Sequence, residues 1–192
     1  MSEGSWRTYV AEMLHPQLQL MTPETSPTEY LDIDWAMFGE LCRALALKVA
    51  RDYDPEVIIG LTRAGVIPAA VVSSIMGADF YTLQISRNEG EDVVRERPAI
   101  FSQVPSAVVG KRVLIVDEIT SSGATLRLAL AAVRDARPAE VRTATSFART
   151  SGYQPDYSAL TMDAYVVFPW DRQVLDGDEL IVNPDYEDEL GD

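Results

Sequence analysis

The stretch Val113-Leu114-Ile115-Val116-Asp117-Glu118-Ile119-Thr120-Ser121-Ser122-Gly123-Ala124-Thr125 decides the fold. Its four leading apolar residues read as a buried strand. Two carboxylates stand at the carboxyl end of that strand. A short run of Thr, Ser and Gly follows, and then an apolar-periodic helix from Leu126 to about Ala136. Such a strand, turning through a small hydroxyl-rich loop into a helix, suits a sugar phosphate. Backbone N–H groups and the helix amino end receive the phosphate dianion. The carboxylates accept hydrogen bonds from two adjacent sugar hydroxyls. The competing reading is an ordinary strand–turn–helix whose acids are merely solvated.

Working outward, Val57-Ile58-Ile59-Gly60-Leu61 is a second short buried strand, followed by the turn Thr62-Arg63-Ala64-Gly65. A helix is predicted from Ile67 to Met76, stopped by Gly77. Asp34 is a good N-cap, and Trp35, Phe38, Leu41, Cys42, Leu45 and Val49 recur at helical spacing, which predicts a helix over 35–51. Further strands are expected at Phe80–Ile85, Val141–Phe147 and, as the last, Asp163–Phe168. Residues 86–106 are polar and poor in periodicity. They read as a long functional loop, with an edge hairpin as the alternative. Strands alternating with helices imply an α/β protein with a mainly parallel sheet covered on both faces. Residues 1–30 read as an amino-terminal arm, with a short helix over Ser5–Leu14 and prolines that prevent a longer one. Residues 31–175 form the domain, and 176–192 an acidic C-terminal tail.

The 192 residues carry 30 acidic and 16 basic side chains, a net charge of −14. That balance argues against a nucleic-acid partner, because such binding depends on Lys and Arg neutralising phosphates. Abundant acids beside only two lysines, Lys48 and Lys111, fit either a salt-adapted source or a solubility device. No apolar run approaches a membrane span, and the amino terminus lacks a secretory h-region, so a cytoplasmic enzyme is expected. One cysteine excludes an internal disulfide. Cys42 lies on an apolar helical face and reads as a packed thiol. One His and one Cys leave no basis for a zinc site.

The acid-ended strand and the loop Ser122-Gly123-Ala124-Thr125 resemble the binding signature for phosphoribosyl pyrophosphate (PRPP) in the type I phosphoribosyltransferases. The turn Thr62-Arg63-Ala64-Gly65 resembles the pyrophosphate loop of the same family, where Arg-Gly-Gly is common. Ala64 replaces the middle glycine, at a strain cost if that peptide needs an unusual conformation. The resemblance covers roughly residues 30–175. It implies the type I fold with helices on both faces, a flexible hood loop and the amino-terminal arm. Asp117 and Glu118 would bind the ribose hydroxyls. Thr120, Ser121, Ser122, Gly123, Ala124 and Thr125 would hold the 5-phosphate, and Thr62 to Gly65 the pyrophosphate. Arg87 or Arg95 of the hood loop would donate to pyrophosphate, with Mg2+ bound mainly through pyrophosphate oxygens.

The stretches Ser146–Arg149 and Asp163–Asp171 resemble the base-binding region of the xanthine–guanine and hypoxanthine–guanine enzymes. On that resemblance Arg149 donates to the purine 6-oxo group, Tyr165 stacks on the base, the Val166 carbonyl receives a ring or exocyclic N–H, and Asp171 organises the metal or the ring edge. A guanidinium donates but cannot accept, which favours 6-oxopurines over adenine. Core or interface packing is the first reading of Phe168 and Trp170. One departure stands out. The oxopurine enzymes usually carry a third acid, the proposed general base, where this chain has Ser121. General-base help is commonly worth about two to four powers of ten in rate, so the identity of the base stays open. The implied reaction transfers the 5-phosphoribosyl group of PRPP to xanthine, guanine or hypoxanthine in purine salvage, in a homodimer or higher homo-oligomer. A transferase for another nucleobase and a PRPP-binding regulatory protein of the same fold are the alternatives.

Overall fold

The computed structural model describes residues 30–89 and 93–186, with side chains described up to residue 86 and from residue 97 on either side of 90–92. The predicted helix over Ser5–Leu14 lies outside the described residues. In chain order the elements are β1 (Tyr30–Asp32), α1 (Trp35–Val49), β2 (Val57–Thr62), α2 (Val66–Met76), β3 (Asp79–Glu89), β4 (Val93–Ile100), β5 (Arg112–Thr120), α3 (Ala124–Asp135), β6 (Glu140–Ala148), β7 (Tyr157–Thr161), β8 (Tyr165–Val167), β9 (Gln173–Asp176) and β10 (Glu179–Val182). They divide into two compact units, Leu41–Met162 and Met1–Glu40 with Asp163–Asp192; the division falls within α1. No helix among the described residues is long and apolar enough to cross a membrane.

The unit Leu41–Met162 is built on a six-stranded sheet of order β4-β3-β2-β5-β6-β7. Every neighbouring pair is parallel except the β3–β4 edge pair. The central strands β2 and β5 are buried continuously from Val57 to Leu61 and from Val113 to Asp117, which explains their unbroken apolar runs. Successive residues serve opposite faces. Val57, Ile59, Leu61, Val113 and Ile115 pack in one cluster with Leu126, Ala129 and Val133 of α3. Each fully buried Leu, Ile or Val contributes about 1.5–3 kcal/mol. Gly60 faces the other way, toward α2: a Cβ built there would lie 2.8 Å from the Ala69 Cβ. Helices therefore cover both faces, as the alternation implies.

At the start of α1 the Met37 N–H donates to Asp34 Oδ1 at 2.7 Å, the predicted N-cap. Phe38, Leu41, Cys42, Leu45 and Val49 are buried as their spacing requires, whereas Trp35 is exposed. Burial pushes the Cys42 thiol up to about 12, the behaviour of a packed rather than a nucleophilic cysteine.

Three elements differ from the sequence expectation. The stretch 86–106 is not one long loop: β3 runs on to Glu89 and pairs antiparallel with β4, with a register shift between Ser86 and Asn88. The alternative reading holds for β3 and β4, which form an edge hairpin where charge and Pro98 are compatible with strand and discourage further pairing. Next, Tyr157–Thr161 forms β7 and takes the place beside β6. Finally, β8 is neither the last strand nor part of the large sheet. In the other unit it pairs parallel with β1 in the register Tyr30↔Tyr165, Leu31↔Val166, Asp32↔Val167, and β9 and β10 form a hairpin after it. That unit's aromatic packing has Phe168 stacked on Trp170 at 4.7 Å, with Phe38 edge-on to Trp170 at 4.9 Å. Phe168 and Trp170 are packing residues, in line with their first reading.

Candidate active site

From β2 the chain passes to β3 on one side of the sheet; from β5 it passes to β6 on the other. The topological switch therefore lies between the adjacent carboxyl ends of β2 and β5, where open α/β sheets place their ligand crevice. The turn after β2 and the acids of β5 meet there. A Cβ built on Gly65 would stand 2.6 Å from Asp117 Oδ1, 2.7 Å from the Leu61 carbonyl oxygen and 2.9 Å from the Asp117 Cα. Only glycine admits that approach. The Thr62–Arg63 peptide is cis. The turn closes through Ile67 N–H donating to the Ala64 carbonyl at 3.0 Å and Ala69 N–H to that of Gly65 at 3.2 Å. Among the described residues Arg137 is the one non-glycine at positive φ, so the side chain of Ala64 carries no left-handed backbone strain.

Asp117 is buried and Glu118 half-buried. Asp117 Oδ1 accepts the Glu118 N–H at 3.0 Å. Burial holds the Asp117 carboxyl protonated well above the usual carboxylate range. The hydrogen bond and charge of the Glu118 side chain push the same way, and the Glu118 N–H opposes them. The two acids thus form a pair that sugar hydroxyl donors or a cation would relieve. Thr145 of β6 stands opposite Asp117 in the sheet. The hydroxyls of Thr120, Thr145 and Ser146 are buried with no hydrogen-bond partner. Thr145 and Ser146 were not among the expected site residues, because a threonine-rich strand reads as β-propensity alone.

After β5, Ser121 and Ser122 are exposed and Gly123 takes φ +72° at the N-cap of α3. The first N–H groups of a helix have no partner within it and carry a partial positive charge; here the Ala124 N–H donates to Ser122 Oγ at 3.4 Å. Two contacts shape this loop from behind. The Tyr153 N–H donates to the Ser121 carbonyl at 2.8 Å, and a Cβ on Gly123 would lie 2.3 Å from the Tyr153 Cβ. Arg127 Nη2 donates to the Ser122 carbonyl at 2.5 Å, with its guanidinium 5.2 Å from the centre of the Tyr153 ring. Sequence reasoning had overlooked Tyr153 and Arg127, which no motif marks. Arg149, at the end of β6, belongs to the same rim: its N–H donates to the Thr120 carbonyl at 3.0 Å.

Arg87 and Arg95 fall within β3 and β4, but their side chains lie outside the described residues. Tyr165, Val166 and Asp171 belong to the other unit. There the Ile33 N–H donates to the Val167 carbonyl at 3.1 Å. By strand alternation the Val166 carbonyl points to the edge of β8 away from β1. The Asp171 N–H donates to the Phe168 carbonyl at 2.9 Å. Burial and then the charges of Asp171 and Asp185 raise the proton affinity of the Tyr186 phenol.

Among the described residues no group of three or more His, Cys, Asp or Glu is placed to hold a metal ion. The acids present offer hard oxygen donors, which suit Mg2+ when phosphate oxygens and water complete its shell.

A switch point that joins a glycine turn, an acid pair and a hydroxyl-rich loop at a helix amino end is suited to a phosphorylated sugar. The comparisons narrow that reading. The phosphoribosyl transferase domain family matches residues 33–176. The chain is 30% identical over 159 residues to the xanthine-guanine phosphoribosyltransferase of Gluconobacter oxydans (strain 621H), covering 80% of this chain and 90% of that one. A crystal structure of a purine phosphoribosyltransferase from Pyrococcus horikoshii Ot3 superposes with a TM-score of 0.66 at 29% identity, over 79% of this chain and 99% of that one. A hypothetical protein from Neisseria gonorrhoeae with bound ppGpp gives a TM-score of 0.65 at 25% identity, over 77% and 91%. The chain belongs to the phosphoribosyltransferase family and is a transferase of the type I fold.

Proposed function

We propose that the protein transfers the 5-phosphoribosyl group of PRPP to a 6-oxopurine in purine salvage. A base nitrogen bonds to C1 of the ribose while the C1–oxygen bond to pyrophosphate breaks. Pyrophosphate leaves with that electron pair, and the displaced N–H proton passes to water or to a nearby base. The contact between Gly65 and Asp117 carries the reading, because it sets the turn suited to pyrophosphate against the acid that would hold the ribose hydroxyls. Family membership and the named relatives support it.

Asp117 and Glu118 accept from the ribose hydroxyls, the loop Thr120–Thr125 holds the 5-phosphate, and Thr62–Gly65 hold pyrophosphate. Arg149 donates to the 6-oxo group, Tyr165 offers a stacking face, and the Val166 carbonyl accepts a ring or exocyclic N–H. Asp171 is the protein's candidate for a metal-organising acid. Bound Mg2+ would neutralise the departing pyrophosphate. Ser121 is a poor base near neutral pH, so stabilisation of the leaving group supplies most of the rate.

The test is pyrophosphate release from PRPP and Mg2+ with xanthine, guanine, hypoxanthine, adenine, uracil and orotate. Turnover with at least one 6-oxopurine and none with the others is expected, and chelation by EDTA should abolish it. Turnover confined to adenine or a pyrimidine overturns the assignment. The Neisseria structure favours a second reading of the same cradles, as a site for a guanine nucleotide bearing two diphosphates. In the same assay ppGpp should then compete with PRPP, and no inhibition at millimolar ppGpp discards that reading.

A further inference from the structure

We propose that Arg127 is a positioning residue for the 5-phosphate cradle; this rests on the assignment of the loop Thr120–Thr125 to the 5-phosphate. Three consecutive carbonyls of that loop accept from donors outside it. The Arg149 N–H bonds the Thr120 oxygen at 3.0 Å, and the Tyr153 N–H bonds that of Ser121 at 2.8 Å. Arg127 Nη2 bonds that of Ser122 at 2.5 Å. A trans peptide is planar, with its C=O and the following N–H pointing opposite ways. Holding these three carbonyls therefore turns the N–H groups of Ser121, Ser122 and Gly123 away from the three donors. Successive N–H groups presented in this manner make an anion-binding concavity. Two of the donors are backbone groups, fixed by the path of the chain. The third is a side chain, and Arg127 is the one a substitution can remove.

Arg127 is exposed and closes the first turn of α3. The helix dipole disfavours a cation there, and a phosphate dianion at the same end offsets that cost. The side chain runs back toward the helix start, as helical side chains do. Its guanidinium lies 5.2 Å from the centre of the Tyr153 ring. Tyr153 is itself well held. It packs against the core cluster that includes Leu126, Ala129 and Val133 of α3. A Cβ at Gly123 would meet the Tyr153 side chain, and one at Gly152 would meet the Ser121 carbonyl. The ring thus seats the guanidinium, and the guanidinium holds the Ser122 peptide. Arg127 acts through the loop, whose N–H groups receive the phosphate.

The experiment compares Arg127→Gln, Arg127→Lys, Tyr153→Phe and Gly123→Ala in the full chain, using whichever base turns over best. KM for PRPP and for the base, the inhibition constants of ribose 5-phosphate and of inorganic pyrophosphate, and the thermal midpoint are measured. Arg127→Gln is expected to raise the KM for PRPP and the ribose 5-phosphate constant about five- to twentyfold, through the loss of one charge-assisted hydrogen bond. The pyrophosphate constant and the KM for the base should be nearly unchanged. The thermal midpoint should hold, because the charge removed is exposed and disfavoured by the helix dipole; a merely structural role predicts a fall. Arg127→Lys keeps the charge without the planar fork and should lie between Arg127→Gln and the parent. Tyr153→Phe, which keeps the ring, should match the parent. A normal ribose 5-phosphate constant in Arg127→Gln, with a raised one in Gly123→Ala, overturns the role of Arg127 and leaves the loop assignment standing. Equal losses for ribose 5-phosphate and pyrophosphate in Arg127→Gln also overturn that role, since they mark a general loosening. A normal ribose 5-phosphate constant in Gly123→Ala overturns the loop assignment itself. Thr125→Ala replaces Gly123→Ala should the latter fail to fold.

Discussion

Asp117 is held in a place that suits its neutral form, and that has a measurable consequence. A carboxyl with a raised folded-state proton affinity binds its proton more tightly when folded than when unfolded. Its contribution to stability is intact below the ordinary aspartate range, about 3.9. It is lost progressively as pH rises toward the raised folded value. Asp117→Asn removes that loss and leaves an amide to donate to Glu118. The variant should therefore melt higher than the parent at neutral pH, with the gap closing as pH falls toward 4. A gain of about 1 kcal/mol corresponds to about 2–4 °C in a chain of this size. On the proposed assignment its kcat/KM for PRPP should fall by at least about a hundredfold, because ribose hydroxyls donating to Asp117 favour its ionised form, which accepts at both oxygens, whereas an amide is uncharged and accepts at one. A lower midpoint at pH 7, together with normal turnover, would contradict both the burial argument and the assigned role. The two acids are legible in the sequence because they interrupt an apolar run. Thr145 and Ser146 are not, since their burial depends on which strand lies beside β5.

Among the elements, the turn 62–65 is the most demanding. In Gly65→Ala the new methyl would meet two backbone atoms, the Leu61 carbonyl oxygen and the Asp117 Cα, neither of which can swing aside. The turn or β5 must shift, and a displacement near 1 Å at a reacting site costs about a hundredfold in rate. Overpacking should also lower stability by about 1–3 kcal/mol. Gly177→Ala makes the control. That residue, between β9 and β10, has φ +62° but nothing within 4 Å of a built Cβ, so it carries backbone strain without a clash and kcat should hold. Parental PRPP kinetics in Gly65→Ala would remove the turn from the site. The elements that sequence reading missed or left open as an alternative share one cause. The β3–β4 hairpin and β7 lie at the two sides of the sheet, where a strand keeps exposed surface and needs no continuous apolar pattern. β1 has three residues, too few to display a period.

On the scale of the whole molecule, the net charge of −14 opposes the approach of a polyanionic donor. Screening weakens that repulsion, since the Debye length falls from about 30 Å at 0.01 M to about 8 Å at 0.15 M salt. The kcat/KM for PRPP, measured with Mg2+ held saturating, should rise between those ionic strengths, while kcat stays nearly flat. A steep fall over the same range would mean that a local basic field steers the donor. The protein's acidity then concerns solubility and association, and on the proposed assignment the site's attraction for phosphate comes from backbone N–H groups whose reach is a few ångströms.

What the sequence determined by itself was the central architecture and the order of its chemistry. Two buried runs, one ending in a glycine turn and the other in an acid pair and hydroxyl loop, separated by helices, leave a mainly parallel sheet as the compatible arrangement, because buried backbone must pair and each apolar face must be covered. Tertiary structure alone decided three things: that β2 and β5 are neighbours, so that Gly65 touches Asp117; that three hydroxyls are sealed without partners beside the acids; and that Tyr30 lies across Tyr165. Each is a contact between segments distant in the chain. Local propensity acts over a few residues, and only packing the whole sheet and the β1–β8 pair brings such segments within reach.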